Sequence, residues 1–345
     1  MKSERIIINN QEKKYITNKS NKKINIINTK KFKIIFFIVI ILLIILASIA
    51  LSLFFINNRN NNSYMKNMNI TNLIQNDINF NDKICKFIKR KLKNRKQPFS
   101  YEEELSFFLS LIKCKIPFSF IRFGDGENLI MKGKKVKTGT DNWFWDNKNY
   151  EVRDKLIESV SICTNPNNFI AIPCKNWLRV SKSILSYSNC TTSKYMSYAT
   201  VFINKNFQFF QNWIVKFINS SNRWKIILVA NSLIKKDISW AYKFFPIPEK
   251  AVENWEKLSA FLLPKLEKEA KKNNLIFFVS AGPLANIIIS HLIKINKKNI
   301  YIDFGSSIEL ITKGFSTRTY LKNRAHGLKR CESFYLENHI PFYTE

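Results

Sequence analysis

Residues 275–295 read LIFFVSAGPLANIIISHLIKI, and this stretch is the clearest indication of the fold. It opens on a run of apolar residues without polar alternation, which is typical of a strand buried on both faces of a parallel sheet. Gly282 and Pro283 then interrupt the run, and Pro suits the first turn of a helix. We therefore predict a strand over 275–283 followed by a helix over Pro283–Ile295.

The same alternation of apolar runs and amphipathic stretches continues on both sides of this segment. Further strands are predicted at 118–123, 168–173, 225–231 and 299–306, and further helices at 100–115, 150–163, 204–218 and 251–272. In the first of these helices Ser100 and Glu103 have the spacing of a capping box. Strands that alternate with helices predict an α/β domain with a Rossmann-like, doubly wound and mostly parallel sheet. Ligands of such sheets bind beyond the carboxyl ends of the strands.

The composition limits the class of protein. Of the 345 residues 46% are hydrophobic, which excludes a long disordered or fibrous chain. Lys and Arg number 56 against 25 Asp and Glu, and the net charge of +31 favours an anionic partner such as nucleic acid, lipid head groups or a phosphorylated substrate. The alternative is a solvated basic surface. The three His and six Cys show no zinc-binding spacing, so structural zinc is not expected.

Residues 34–56 form 23 consecutive uncharged residues in which only Ser48 and Ser52 are polar. A bilayer core needs about 20 apolar residues, so we predict one transmembrane helix. A cleaved signal peptide is the alternative, but its apolar core is shorter, about 7–15 residues, and lies nearer the N-terminus. Residues 1–33 carry ten Lys or Arg, and such flanks stay in the cytoplasm. We expect a single-pass type II membrane protein whose C-terminal part lies in the lumen of the Golgi or ER, or outside the cell.

The domain organisation follows from this topology. We predict a basic cytoplasmic tail over 1–33, the membrane helix over 34–56, a stem over 57–95 and a luminal domain over 96–345. The stem is rich in Asn and Lys and contains one candidate helix near Ile84–Leu92. The alternative is that this helix is the first element of the domain.

All six Cys lie beyond the predicted membrane helix. In an oxidising compartment this even number allows up to three disulfides, and we expect at least one. Which cysteines pair is left open. N-glycosylation sequons begin at Asn61, Asn69, Asn189 and Asn219, although an Asn-rich chain contains such triplets by chance.

Residues 122–127 read RFGDGE, in which Arg122 and Phe123 end the strand predicted over 118–123 and GDGE forms the turn that follows it. Asp125 and Glu127 are carboxylates two residues apart, in a turn whose two glycines allow a close approach of ligand to backbone. Carboxylates at this spacing can share a divalent cation, which in turn binds a diphosphate, and the guanidinium of Arg122 can bind phosphate. The alternative is a β-turn with solvated acids.

Two further predicted strands end in residues suited to ligand binding. In Ser280–Ala285 a helix start offers unpaired N–H groups to a diphosphate, and Gly282 lets an anion approach. No G-K-[ST] follows, which disfavours an ATPase. Asp303, followed by Gly305 and Ser306, can bind a ribose or sugar hydroxyl. The alternatives are ordinary helix capping for the first segment and a structural carboxylate for the second.

Weaker candidates lie elsewhere in the chain. Asp141 stands beside Trp143 and Trp145. Aromatic rings stack on sugars and a nearby carboxylate can act as a base, whereas core packing is the alternative for the Trp pair. Asn231 follows a predicted strand and is better explained as part of a turn. His326 is better explained as a surface residue than as a catalytic one.

Three of these blocks together resemble the GT-D glycosyltransferases. RFGDGE is similar to the R-[FY]-G-D-G-E string of that family, Ser280–Ala285 resembles its S-x-G-P-L-A helix start, and 302–306 resemble its I-D-x-G-S. The resemblance extends over roughly residues 100–310, and the membrane anchor and stem are additions to it. It implies transfer of a sugar from a nucleotide donor with a divalent metal, and it gives Asp125 and Glu127 the D-x-E role.

The residues and the resemblance together predict a membrane-anchored glycosyltransferase that moves a sugar from a nucleotide-diphosphate donor to a glycan or glycoprotein acceptor, with Mn²⁺ or Mg²⁺ as cofactor. The candidate catalytic residues are Asp125, Glu127 and Asp303, the first two also as metal ligands, and the candidate donor-binding residues are Arg122, Gly124, Gly126, Ser280, Gly282 and Ser306. Asp303 and Asp141 are the candidate bases. Two other classes stay open: a non-catalytic module that binds carbohydrate or a surface, and a metal-dependent phosphotransferase. Nucleic acid is not expected as a partner of an exported domain.

Overall fold

The structure is a computed structural model, and it describes residues 41–49, 51, 71, 74, 81–137, 144–173, 178–220, 225–234 and 236–315. Two compact units divide the chain, Met1–Met68 and Asn69–Glu345. In the first unit, the described residues are helical with exposed side chains. Among the described residues, no helix is long and apolar enough to cross a membrane. Most of the predicted span over 34–56 lies outside them, so the membrane helix stays a prediction.

The second unit is built on a parallel sheet. The strands of its described residues are, in chain order, β1 (Phe118–Arg122), β2 (Val136–Lys137), β3 (Phe144–Trp145), β4 (Asn168–Ile172), β5 (Met196–Tyr198), β6 (Lys225–Asn231), β7 (Lys243–Ile247), β8 (Leu275–Ser280) and β9 (Ile300–Asp303). Seven of them form one sheet in the order β5-β4-β1-β9-β8-β6-β7, in which all neighbours are parallel. β2 and β3 form a separate antiparallel pair. The predicted α/β fold with a mostly parallel sheet is confirmed.

Helices lie between the strands along the chain. Those of the second unit's described residues are α1 (Asp82–Asn94), α2 (Tyr101–Lys113), α3 (Asp125–Met131), α4 (Tyr150–Val160), α5 (Leu178–Leu185), α6 (Phe207–Asn219), α7 (Trp255–Ala270), α8 (Leu284–Ile295) and α9 (Glu309–Thr312). On one face of the sheet, strand residues such as Ile121 and Phe277 pack in a core with residues of α4, α7 and α8. The alternate strand residues meet α2 and α6 through aromatic pairs, such as Phe108 with Phe120. Both faces of the sheet are therefore covered, which is why its central strands are apolar throughout.

Two predicted details were wrong, and two strands were missed. The string DGE does not form a turn, because it begins α3. Ser100 does not complete a capping box, because its hydroxyl donates to the Glu103 carboxylate at 2.9 Å and makes no side-chain hydrogen bond to a helix N–H. The strands β5 and β7 were not predicted. Both lie at the edges of the sheet, where β7 tolerates Pro246 because an edge strand needs fewer backbone donors.

The helix predicted within the stem is an element of the folded domain. α1 buries Ile84, Phe87 and Ile88. Cys85 on this helix forms a disulfide with Cys114 at the end of α2. The helix belongs to the same compact unit as the sheet, as in the alternative interpretation, but it is not the first element, because Thr71 and Ile74 before it are also helical.

A second disulfide joins Cys163 to Cys190. The expectation of at least one disulfide is thus confirmed. Cys174 and Cys331 lie outside the described residues. Of the four sequon asparagines, Asn189 and Asn219 are exposed, and the other two are outside the described residues.

Candidate active site

The three motif blocks meet at the carboxyl edge of the sheet. β1 ends at Arg122, β9 ends at Asp303 and β8 ends at Ser280, and these are three neighbouring strands. From β1 the chain continues to β4 and β5 on one side, whereas β6 to β9 build the other side. The boundary between β1 and β9 is therefore the switch point at which open parallel sheets bind ligands.

A two-point ion pair connects β1 to β9. Nε of Arg122 donates to Oδ2 of Asp303 at 3.2 Å, and Nη2 donates to Oδ1 at 3.4 Å. The side chain of Arg122 is 18% exposed and that of Asp303 only 5%. Burial raises the pKa of Asp303, and the charge and hydrogen bonds of Arg122 oppose that rise. Asp303 also accepts the N–H of Gly305 at 2.9 Å, so its two oxygens are both engaged.

The guanidinium of Arg122 occupies the space that a side chain at Gly305 would fill. A Cβ on Gly305 would lie 1.6 Å from Nη2 of Arg122, and the φ of +48° is one that other residues rarely adopt. Ser280 fixes the same glycine from β8, because its hydroxyl donates to the Gly305 carbonyl at 2.7 Å. Only a glycine at this position allows the guanidinium to pack on the backbone.

The D-x-E pair occupies the first turn of α3. The carboxylate of Glu127 accepts the N–H of Gly124 at 2.8 Å, which caps the helix. The residue keeps part of its surface exposed, but its carboxyl group is enclosed by protein atoms. This burial, with the charge of Asp303 acting in the same direction, raises the pKa of Glu127 to about 7 against the capping hydrogen bond and Arg122. Asp125 is exposed and accepts the N–H of Gly126 at 3.0 Å.

The oxygen ligands available at this edge suit a hard divalent cation whose coordination is completed by the phosphates of a substrate. Carboxylate oxygens suit Mg²⁺ or Mn²⁺, and Mg²⁺ sites use one or two carboxylates with substrate phosphates and water. Within the described residues there is no group of three or more His, Cys, Asp or Glu that could hold a metal. Asp125 and Glu127 are two residues apart on a helix, a spacing at which side chains do not face each other. A cation here would therefore depend on Asp125 and the diphosphate first, and Glu127 would have to release the Gly124 N–H to join them.

The predicted donor-binding residues lie around this edge with different roles. Gly282 is exposed with φ +56°, and it precedes α8, whose first residue is Leu284. Ser306 is partly exposed beside Gly305. Gly124 has an extended φ of −120° and Gly126 is helical, so neither has a positive φ.

Asn286 is a residue that the sequence reasoning did not select. Its side chain is fully buried, and its Nδ2 donates to the carbonyl of Arg122 at 2.8 Å, which joins α8 to the end of β1. The signal was present, because Asn286 directly follows the SAGPLA block on one helix. Ala199 was also missed, and its carbonyl accepts Nη1 of Arg122 at 3.3 Å.

The weaker candidates are not brought to this site by the described residues. Asp141, Trp143 and His326 lie outside them. Trp145 is 1% exposed, which fits core packing. Asn231 accepts the N–H of Leu233 at 2.7 Å, which fits a turn.

No protein-family model matches the chain, and no curated protein matches its sequence. Solved structures that match include two of the domain of unknown function 1792, one of them described as having a distinct glycosyltransferase fold. Each is 17% identical with a TM-score of 0.42, over 65% of this chain and 83% of the other. A third, described as a new glycosyltransferase (DUF1792) from Streptococcus sanguinis, is 16% identical with a TM-score of 0.44, over 63% of this chain and 84% of the other. At such values the function of this chain has to be inferred from its own residues.

Proposed function

We propose that the protein is a membrane-anchored glycosyltransferase that moves a sugar from a nucleotide-diphosphate donor to a glycan or glycoprotein acceptor with a divalent metal. One observation carries the proposal: the three blocks of the GT-D resemblance, far apart in sequence, meet at adjacent strand ends. Arg122 of the first block is bonded to Asp303 of the third, and Ser280 of the second is bonded to Gly305 of the third. The carboxyl ends of parallel strands share one edge in any case, so the support lies in the hydrogen bonds that link these three blocks to one another.

Arg122 is proposed to bind the donor diphosphate. The three hydrogen bonds described above leave part of its five N–H groups for phosphate oxygens, and its side chain is partly exposed. Asp303 is a positioning residue in this proposal, because it holds the guanidinium in the plane of the strand ends. The exposed backbone at Gly282, before α8, is proposed to receive the same diphosphate.

Asp125, with Glu127, is proposed to hold the metal. A divalent ion bound there would supply positive charge to the leaving diphosphate. Asp125 is exposed and so is accessible to an ion that arrives with the donor. Asp141 is the proposed base that takes the proton from the acceptor hydroxyl, because Asp303 is engaged by Arg122 and Gly305.

The proposed location is the lumen of the Golgi or ER, or the outer surface. Two disulfides within the described domain support it, since disulfides persist in oxidising compartments. The test is protease treatment of sealed microsomes that contain a C-terminally tagged chain. Protection of the tag supports the type II topology, and cleavage in intact vesicles contradicts it.

A donor screen tests the activity itself. The full chain in mild detergent is incubated with a panel of nucleotide sugars and Mn²⁺, Mg²⁺ or EDTA, and release of the nucleotide is measured. Metal-dependent release from one donor supports the proposal. Transfer of phosphate from a nucleoside triphosphate to an acceptor, with no use of any nucleotide sugar, would indicate a phosphotransferase. Binding of sugars without turnover would indicate a non-catalytic module.

A further inference from the structure

A pocket of about 500 Å³ lies between the end of α1, the loop that leads into α2, and Tyr198 at the end of β5. This volume is in the range of small-molecule sites. None of its lining residues belongs to the candidate active site. The pocket is therefore a separate feature of the domain.

Its lining carries one sign of charge. The lining includes Arg90, Lys91, Arg95 and Lys96 among ten residues, and it includes no Asp or Glu. Basic residues make up about one in six of the whole chain, so the high overall charge does not account for four in ten. A concave surface of one sign concentrates counter-ions of the other sign.

Within the part of the chain that the structure describes, one of these four charges has a carboxylate partner and three do not. Arg95 is buried and donates to Glu104 at 2.6 Å. No carboxylate of the described residues forms an ion pair with Arg90, Lys91 or Lys96. The side chains of Arg90 and Lys96 belong to exposed residues, so they can reach a ligand from solvent.

The walls of the pocket are fixed by contacts that do not depend on a ligand. The Tyr198 hydroxyl donates to the Phe99 carbonyl at 2.9 Å, and Arg95 donates to the Met196 carbonyl at 2.7 Å. The ammonium of Lys91 lies 5.5 Å from the ring centroid of Phe99. A preformed site loses less entropy on binding than one that must be ordered.

We propose that this pocket binds a phosphate-bearing ligand through Arg90, Lys91 and Lys96. Arg can bind two phosphate oxygens at once and Lys acts as a point charge, so the pair of residue types suits a phosphate monoester. The ligand is either a soluble sugar phosphate or a lipid head group, since both present the same dianion. The aromatic Phe99 and Tyr198 give the organic part of the ligand an apolar surface to contact.

In the proposed transferase this ligand would belong to the acceptor, because the pocket lies outside the proposed donor site. Tyr198 lines the pocket, and the carbonyl of the next residue, Ala199, accepts a hydrogen bond from Arg122. A lining residue of the pocket is thus the neighbour in sequence of a residue that contacts Arg122, and the pocket shares no residue with the proposed donor site. The assignment to the acceptor, unlike the binding itself, rests on the proposed glycosyltransferase function.

Calorimetric titration of the full chain in mild detergent tests the binding. The probes are glycerol 3-phosphate and its diacylated form, dihexanoyl phosphatidic acid, at constant ionic strength with EDTA to exclude metal. We expect saturable binding, weakened at least tenfold in Arg90→Gln/Lys96→Gln. The control Lys86→Gln/Lys89→Gln removes the same charge from exposed positions of α1 outside the pocket and should change the affinity less than twofold.

Equal weakening in the two double variants, or no saturable binding, would overturn the proposal. Tighter binding of the phosphatidic acid than of glycerol 3-phosphate supports a lipid head group, and equal affinity supports a soluble ester. Asp125→Asn should keep full binding of both probes. Binding that persists in a chain without sugar transfer would refute the proposed function and leave the pocket, whereas transfer without probe binding would refute the pocket alone.

Discussion

The guanidinium of Arg122 and the carboxylate of Asp303, 181 residues apart in sequence, join the carboxyl ends of two neighbouring strands. The Arg122 guanidinium of this pair packs on the backbone of Gly305. The hydroxyl of Ser280, on a third strand, donates a hydrogen bond to the carbonyl of the same glycine. Since four residues of three motifs depend on one small contact, the arrangement of the candidate site should respond sharply to changes at the glycine.

Gly305→Ala should disrupt the site. The new methyl group would meet Nη2 of Arg122 at 1.6 Å, and the φ of +48° adds a cost of about 1–2 kcal/mol for an L-residue. The control is Gly133→Ala, at a φ of +70° with no atom within 4 Å of the new Cβ. We expect Gly305→Ala to lose at least about 2 kcal/mol more than the control in chemical denaturation. Equal losses would mean that Arg122 moves aside without cost.

The strands at the centre of the sheet were predictable and those at its edges were not. β6 and β8 are apolar on both faces, and this leaves a continuous run in the sequence. β5 has three residues, and β7 contains a proline and has only one buried residue, so neither carries such a signal. They are strands because each pairs with an inner strand of the sheet. A local sequence pattern does not contain that pairing.

The residue types of the site were predictable, but its contacts were not. Strand ends place Arg122, Asp303 and Ser280 at one edge, which follows from the parallel fold alone. The ion pair requires the strand order, and the sequence does not reveal that β9 lies beside β1. The glycines around Asp125 suggested a turn, and the capping of α3 by Glu127 overrides that local preference.

The raised pKa of Glu127 should make stability depend on pH. The raised pKa of about 7, against 4.5 in the unfolded chain, means that the folded protein holds the proton of Glu127 more tightly than the unfolded chain does. This contribution to the free energy of unfolding is fully present below pH 4.5 and is lost as the pH rises through 7. Glu127→Gln keeps an acceptor for the Gly124 N–H and removes the ionisation. The wild type should therefore lose about 1–3 kcal/mol more than this variant between pH 5 and pH 8. Urea denaturation followed by Trp fluorescence measures the difference.

Glu256→Gln provides the comparison for that experiment. Glu256 is an exposed glutamate in the first turn of α7, so it shares the helix position but not the burial. Its pH dependence of stability should match the wild type. If Glu127→Gln shows the same pH dependence as Glu256→Gln, then the Glu127 carboxyl is not enclosed as described.

The disulfide between Cys85 and Cys114 should be worth several kcal/mol. The bridge closes a loop with a sequence separation of 29, for which loop entropy gives about 3–4 kcal/mol. Cys85→Ala/Cys114→Ala should lower the free energy of unfolding by that amount. Thiol labelling of the denatured, unreduced wild type should count at most two free thiols, because four of six cysteines are paired. A count of six would contradict both bridges.

Asp125→Asn should remove most of the turnover of the nucleotide sugar. The substitution is nearly isosteric but removes one negative charge from the proposed metal site, and metal stabilisation of a leaving group contributes several kcal/mol. A loss on the order of a hundredfold or more is expected, since each 1.4 kcal/mol is about tenfold in rate. The concentration of Mn²⁺ for half-maximal activity should rise in parallel, and Glu127→Gln should also lose most of its turnover.

The fold should survive this change, because Asp125 is exposed and contributes little to stability. The matched control is Asp154→Asn on α4, whose side chain is 68% exposed and lies outside the three motif blocks. It should keep both turnover and melting temperature. Near-native turnover in Asp125→Asn would mean that the metal binds elsewhere or takes no part in the mechanism. A collapsed melting temperature together with lost turnover would instead show that the carboxylate is needed for the start of α3, and the loss of charge would then explain nothing about catalysis.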